Sequence, residues 1–241
     1  MKGIILAGGL GTRLEPLTRV TNKHLLPVYD QPMIYYPIRT LITAGIQKIL
    51  IVTGGNNAGD FLKLLGNGEA FGIKDIQYAY QEGEGGIADA LRLAEHFVGR
   101  DKFVVVLGDN VLDRSIKPYV DKFKKQKSGA RILIKKVPDP HRFGVVEFKG
   151  DRIISITEKP KHPASDFIVT GIYMYDAFAF DFIRQLKPSK RGELEITDVN
   201  NMYLKKNQLF YNILEGNWTD CGTFPSLFKA NQIMAAKHHS R

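Results

Sequence analysis

The chain has one cysteine, Cys221, and one tryptophan, Trp218, in 241 residues. A lone cysteine forms no internal disulfide, and a reducing, cytoplasmic setting fits that usage. Cys221 has no evident histidine partner and no Gly-x-Ser-x-Gly occurs, which argues against nucleophilic catalysis. The six histidines fall in no metal-ligand spacing, and His238-His239 reads as a solvated tail. No apolar run nears the roughly 20 residues that a membrane helix needs. Met1-Lys2 runs straight into a strand that ends in glycines, without the small-residue cleavage site of a signal peptide. Repeats, low-complexity tracts and linkers are missing too, which leaves one continuous domain over 1–241. An acidic balance is also lacking: 34 Lys+Arg stand against 25 Asp+Glu, for a net charge of +9.

A basic balance suits nucleic acid, a membrane surface or small anionic substrates. Much of the excess lies between Lys117 and Lys136, at Lys117, Lys122, Lys124, Lys125, Lys127, Arg131, Lys135 and Lys136. Most of these fall on an amphipathic helix with Ile116, Val120 and Phe123 inward, so the run reads first as a solvated helix face. No nucleic-acid module signature accompanies it.

Apolar runs and helical periods alternate along the first half. Strands are expected at Gly3–Ala7, Lys48–Thr53, Ile76–Tyr80 and Phe103–Leu107, with helices at Pro32–Ala44, Asp60–Leu65 and Ile87–Val98. Fully apolar strands separated by helices indicate a parallel sheet covered on both faces. The second half changes character. Strands are expected at Arg131–Val137, Gly144–Phe148, Arg152–Glu158 and Phe167–Tyr175, two of them joined by a Lys149-Gly150-Asp151 turn. Helices follow near Phe178–Leu186, Thr197–Lys206 and Pro225–Ala235. The fold class is therefore α/β with a mostly parallel, mixed central sheet.

In open α/β sheets ligands bind beyond the carboxyl ends of the strands, so the residues that follow each strand matter most. After Ala7 comes Gly8-Gly9-Leu10-Gly11-Thr12-Arg13-Leu14, and ten residues after Arg13 comes Lys23. Glycines let backbone N–H groups close on a bulky anion, and Arg13 and Lys23 add fixed positive charge. The loop lacks the Walker spacing and the dinucleotide order. Asp109 follows the Phe103–Leu107 run, where a lone carboxylate is costly unless paired or metal-bound. Asp220 is the best second carboxylate for a Mg²⁺ site completed by phosphate oxygens and water; the alternative is that Asp109 caps a turn. Gln81 carries the donor and acceptor needed to read a nucleobase edge, or simply starts a loop. Glu158 and Lys159 suit sugar hydroxyls and a sugar phosphate, or a surface ion pair. The Arg191–Asp198 segment reads as a polar loop with Thr197 or Asp198 as helix N-cap.

Together these residues resemble the sugar-nucleotidyltransferase family, on its thymidylyltransferase branch. The matching segments are Gly3–Leu14, Asn22–Val28, Pro32–Tyr36, Gly86–Ala88, Leu107–Asn110, Arg142–Glu147, Glu158–Pro160, Val169–Asp176, Arg191–Val199 and Thr219–Thr223. The resemblance implies a Rossmann-like three-layer fold, with a nucleotide-binding half over about 1–115 and a sugar-phosphate-binding half over about 116–241. It implies transfer of a thymidylyl group from dTTP to α-D-glucose 1-phosphate, toward dTDP-rhamnose. Leu6, Gly8 and Gly11 would touch the nucleoside, Thr12 and Arg13 the leaving pyrophosphate, and Lys23 the phosphates at the transfer point. Gln81 and Gly86 would read thymine, and Asp109 and Asp220 would hold Mg²⁺. Gly144, Glu158 and Val169 would contact the hexose, while Asn110, Lys159 and Arg191 would bind the sugar phosphate. Arg13, Lys23 and Asp109 carry the catalysis in this reading.

Homo-oligomers are the family habit, and neither nucleic acid nor membrane is an implied partner. His24 stands where longer relatives have Gln, and Cys221 where Thr or Ala is common, a small packing difference. Longer relatives continue past the position of Arg241 with helices that build a regulatory site, so weakened or absent end-product feedback is expected. Rival readings are a uridylyl- or cytidylyltransferase, since a thymine methyl is worth only about 1 kcal/mol, and a non-catalytic nucleotide-sugar sensor. The sensor should have lost Arg13, Lys23, Asp109 or Asp220, all of which are present.

Overall fold

The computed structural model describes residues 1–55 and 57–239. The chain forms two compact units, each drawn from several segments of the sequence. The first comprises Met1–Glu84, Val105–Pro118 and Gly216–Arg241, and the second Gly85–Val104 and Tyr119–Glu215.

In the first unit, strands Lys2–Ala7, Lys48–Gly54 and Asp75–Gln81 lie side by side in parallel. Gly3 pairs with Ile49 through to Ala7 with Thr53, and Lys48 with Asp75 through to Gly54 with Gln81. The Phe103–Leu107 strand borders Lys2–Ala7 on its other edge. Ile4, Ile5, Ile49, Ile51 and Val52 are fully buried, as apolar central strands require. The helix expected from Pro32 begins at Tyr35. Pro32 belongs instead to a two-residue ladder in which Pro27 pairs with Pro32 and Val28 with Gln31. That helix buries Ile38 and Leu41 and stops at Thr43, one residue before a turn through left-handed Gly45. A second short ladder pairs Asn110–Leu112 antiparallel with Trp218–Asp220.

In the second unit the sheet runs in the order Arg152–Glu158, Gly144–Lys149, Phe167–Tyr175, Ala130–Lys136, Leu209–Ile213. Arg152–Glu158 and Gly144–Lys149 form the expected hairpin, with Glu158 opposite Gly144 and Gly150 left-handed in the turn. Leu209–Ile213 joins as a parallel strand. An aromatic core stacks Phe103 on Phe180 at 5.3 Å and Tyr175 on Tyr203 at 5.7 Å. The strand pairings are thus both parallel and antiparallel, a mixed α/β arrangement.

Three expectations change in detail. The helix expected over Ile87–Val98 divides into Ile87–Arg92 and Glu95–Val98. Between them the N–H groups of Leu93 and Ala94 bond three residues back, which tightens the backbone out of the α form. The basic stretch is a helix only over Lys117–Lys125, where Lys117, Lys122, Lys124 and Lys125 are exposed. Arg131 and Lys135 lie on the following strand, bonded to Asn212 and to the Leu214 carbonyl. His238 belongs to the terminal helix Phe224–His239, with its ring 5.7 Å from that of Tyr29, so it is not part of a tail. The His239 side chain and residues 240–241 lie outside the described residues. Among the described residues no helix is long and apolar enough to cross a membrane.

Candidate active site

The glycine loop leaves the Lys2–Ala7 strand at its carboxyl end. Gly11 is left-handed, with φ 73°, and opens a 3-10 turn over Thr12–Leu14. Its carbonyl accepts from the Leu14 N–H at 2.8 Å and the Thr18 hydroxyl at 2.9 Å. A Cβ at Gly11 would meet Lys23 Cβ at 2.8 Å, so only glycine lets Lys23 pass this close. Leu14 is buried and anchors the turn, while Thr12 and Arg13 are exposed. Leu6 is buried; its carbonyl accepts from the Gly108 N–H.

Gln81 ends its strand beside this loop. Its Oε1 would lie 2.9 Å from a Cβ at Gly8, so the amide faces the Gly8 backbone. Thr53, on the strand between them, has a buried hydroxyl that finds no hydrogen-bond partner among the described residues. No sequence signal marks Thr53, because a threonine ending an apolar strand is ordinary β composition.

Lys23 and Asp109 meet in one ion pair, Nζ to Oδ2 at 2.6 Å, with side chains only 12% and 14% exposed. Burial pushes the Asp109 carboxyl up, but the Lys23 charge and the hydrogen bonds from Lys23 and Asn110 outweigh it. The carboxyl is held well below the usual carboxylate range. His24 is buried beside the pair; its backbone N–H donates to Asn22 Oδ1 at 3.0 Å, and its Nδ1 lies 2.7 Å from the same oxygen. Burial and then the Lys23 charge lower its pKa to about 3, so His24 is neutral.

Asp220 sits opposite Asn110 in the short ladder, and the Cys221 N–H donates to the Asp109 carbonyl at 2.8 Å. This backbone link brings the two aspartates to one place although 111 positions of chain separate them. A Cβ at Gly222 would lie 3.1 Å from both Asp220 Oδ2 and an Arg13 guanidinium nitrogen, so Arg13 flanks the same point. Two carboxylates offer hard oxygen donors with room left for phosphate oxygens and water, which fits a divalent cation. Among the described residues no group of three or more His, Cys, Asp or Glu is placed to ligate a metal.

Cys221 is buried among Leu14, Leu26, Val28, Met33, Tyr36 and Met234, a packing role. Burial raises its thiol pKa well above the ordinary value, so it stays protonated. Asn110 is buried with its side chain bonded to Asp109 and Trp218, whereas the family resemblance implies a sugar-phosphate contact.

The second unit gathers Gly144, Glu158, Lys159 and Arg191. Glu158 Oε2 accepts from the Thr197 hydroxyl at 2.5 Å, and its Oε1 lies 3.8 Å from Arg191 and 3.9 Å from Lys159. A Cβ at Gly144 would press on Thr197 Oγ1 at 3.1 Å. Burial raises the Glu158 pKa, against the Thr197 hydrogen bond and Lys159. Arg191 also pairs with Glu193 at 2.5 Å and Glu195 at 3.2 Å. Two cations thus share three carboxylates. Thr197 is not the N-cap: the helix starts at Ile196, with Glu195 in the cap position, and the Thr197 hydroxyl is used by Glu158.

Gly86, left-handed at φ 93°, opens the Ile87–Arg92 helix, and a Cβ there would meet the Leu194 carbonyl at 2.8 Å. It belongs to the second unit, whereas Gln81 belongs to the first. Val169 is buried in its strand opposite Ile134. Sequence patterns single out neither Thr197 as a partner of Glu158 nor Trp218 as a partner of Asn110.

Comparison with known proteins identifies the family. The family model described as nucleotidyl transferase matches residues 2–237. The chain is 50% identical to the glucose-1-phosphate thymidylyltransferase of Neisseria meningitidis, over 95% of this chain and 81% of that protein. It is 42% identical to that of Actinoplanes sp., over 98% of this chain and 78% of the relative. A crystal structure from Bacillus anthracis, assigned as a glucose-1-phosphate thymidylyltransferase, superposes with a TM-score of 0.93 at 54% identity, covering 97% of this chain and 94% of the other. An apo UDP-glucose pyrophosphorylase shares the fold, with a TM-score of 0.86 at 23% identity over 99% of each chain.

Proposed function

The chain belongs to the nucleotidyl transferase family, and from that premise we propose that it transfers the thymidylyl group of dTTP to α-D-glucose 1-phosphate. The products are dTDP-glucose and pyrophosphate. The observation that carries the reading is the gathering of the glycine loop, Gln81, Lys23, Asp109 and Asp220 in the first unit. The identity to thymidylyltransferases supports the choice of base and sugar.

A sugar phosphate oxygen attacks the α-phosphorus in line. The bond from that phosphorus to the bridging oxygen breaks, and pyrophosphate leaves with the electron pair. The attacking oxygen is already anionic, so no strong base is required; the obstacle is repulsion between polyanions. The N–H groups of the loop, with Thr12 and Arg13, bind the departing phosphates, and Lys23 bridges to the transfer point. In the first unit Leu6, Gly8 and Gly11 line the nucleoside, and the Gln81 amide reads thymine. In the second unit Lys159 and Arg191 take the sugar phosphate, and Glu158, Gly144 and Val169 the hexose. Arg191 must then exchange a carboxylate partner for phosphate. Asp109 and Asp220 would hold the Mg²⁺, which when bound offsets phosphate charge. A cytoplasmic homo-oligomer is part of the same proposal.

Pyrophosphate release across a panel of nucleoside triphosphates and sugar 1-phosphates tests the reading. The highest kcat/KM is expected for dTTP with glucose 1-phosphate. A higher value for UTP or CTP reassigns the base, and no release with any pair makes the protein a sensor.

A further inference from the structure

Trp218 has no part in the roles above, yet its indole is tied to the metal carboxylate. Its Nε1–H donates to Asn110 Oδ1 at 2.7 Å, and Asn110 Nδ2 donates to Asp109 Oδ1 at 3.0 Å. Chemistry fixes the direction of this chain. An indole N–H can only donate and a carboxylate can only accept, so the amide between them has one orientation. Asn110 is 1% exposed and Trp218 5%. The two side chains come from facing strands of the short ladder, where Trp218 lies opposite Leu112 and Asp220 opposite Asn110. Trp218 and Asp220 are two residues apart on one strand and so share a face.

The second carboxylate oxygen of Asp109 is taken by Lys23 at 2.6 Å. The two donors differ in kind. Lys23 reaches in on a four-carbon stem and carries an ammonium charge that phosphate can also pair with. Asn110 is enclosed and locked from behind by the indole.

We propose that Trp218 and Asn110 are positioning residues for Asp109, a hydrogen-bonded relay that sets the carboxylate before metal and triphosphate arrive. The proposal rests on the reading of Asp109 as a metal ligand. One strand then serves both carboxylates: it carries Asp220 directly and orients Asp109 through Trp218 and Asn110.

The single tryptophan makes the relay observable, because a nitrogen-15-labelled sample has one indole N–H resonance. That proton is expected to resist solvent exchange in the wild type, lose protection in Asn110→Ala, and shift in Asp109→Ala. Trp218→Phe keeps an aromatic side chain, smaller than the indole, and deletes the donor. It should weaken Mn²⁺ binding about tenfold, followed by electron paramagnetic resonance without nucleotide. Excess Mg²⁺ should restore most of its turnover, which a general packing defect would not allow. Asn110→Ala should weaken Mn²⁺ binding comparably, and the double variant no further than either single one.

Wild-type Mn²⁺ affinity in Trp218→Phe, or losses that multiply in the double variant, overturns the relay. So does an indole resonance that exchanges freely in the wild type or ignores Asp109→Ala, a readout that needs no variant of Trp218 to fold. Should Asp109→Ala shift the resonance yet bind Mn²⁺ as the wild type does, the relay stands and the metal assignment fails.

Discussion

Lys23 and Asp109 lie 86 positions apart in the chain and 2.6 Å apart in space, and each neutralises the other inside a mostly buried site. Lys23→Ala or Asp109→Asn should each remove about 2–4 kcal/mol of transition-state stabilisation, read as kcat/KM in a pyrophosphate-release assay. Near-normal kcat in Asp109→Asn with Mg²⁺ would remove Asp109 from the machinery. Glu193 holds Arg191 from a partly exposed position, where under the proposed function it would compete with the sugar phosphate. Glu193→Gln should therefore lower KM for glucose 1-phosphate by up to about fivefold, the scale of one exposed ion pair, and leave KM for dTTP unchanged. His24 gives a pH signature. Its folded pKa of about 3 lies below the ordinary value of 6.5. Between those values the unfolded chain binds the extra proton, so stability is full above about pH 6.5 and falls as pH drops toward 3. Urea unfolding at pH 7.5 and pH 5 should show wild type weaker at pH 5 and His24→Gln less sensitive. A slope equal to wild type would mean that His24 is not held neutral.

At the scale of elements, the glycine loop shows how local chemistry becomes site geometry. Gly11 is left-handed and touches Lys23, whereas Gly9 is exposed and a Cβ there would lie 3.7 Å from Lys23 Cε. Gly11→Ala should cost about 1–3 kcal/mol of stability from backbone strain, lowering the melting temperature, and should also depress kcat. Gly9→Ala should leave the melting temperature near wild type. Equal shifts for the two would remove the strain argument. The apolar strands were legible from composition: Phe103–Leu107, Arg152–Glu158 and Phe167–Tyr175 begin and end where the pattern places them. Leu209–Ile213 was not, since its alternation is short and its order comes from pairing with Ala130–Lys136. The Asn110–Leu112 and Trp218–Asp220 ladder was also invisible, because three-residue strands carry no period and these two lie more than 100 positions apart.

At the scale of the whole molecule, ligand binding should register as stability. A ligand that binds only the folded chain adds about 2.7 kcal/mol at a hundred times its Kd. dTTP with Mg²⁺ should therefore raise the melting temperature, and EDTA should shrink that rise; a rise indifferent to EDTA would separate nucleotide binding from the carboxylate pair. The amino-acid sequence by itself determined the α/β class and the composition of the glycine loop. It also determined the list of charged groups that follow strand ends, because strand burial, glycine freedom and fixed charge are properties of short segments. The building of each unit from separate chain segments, the pairing of Lys23 with Asp109, the committing of Asn110 to Trp218 and Asp109, and the hold of Thr197 on Glu158 were decided only by the tertiary structure. Each of these depends on which distant segments share a strand edge, and no local pattern encodes that choice.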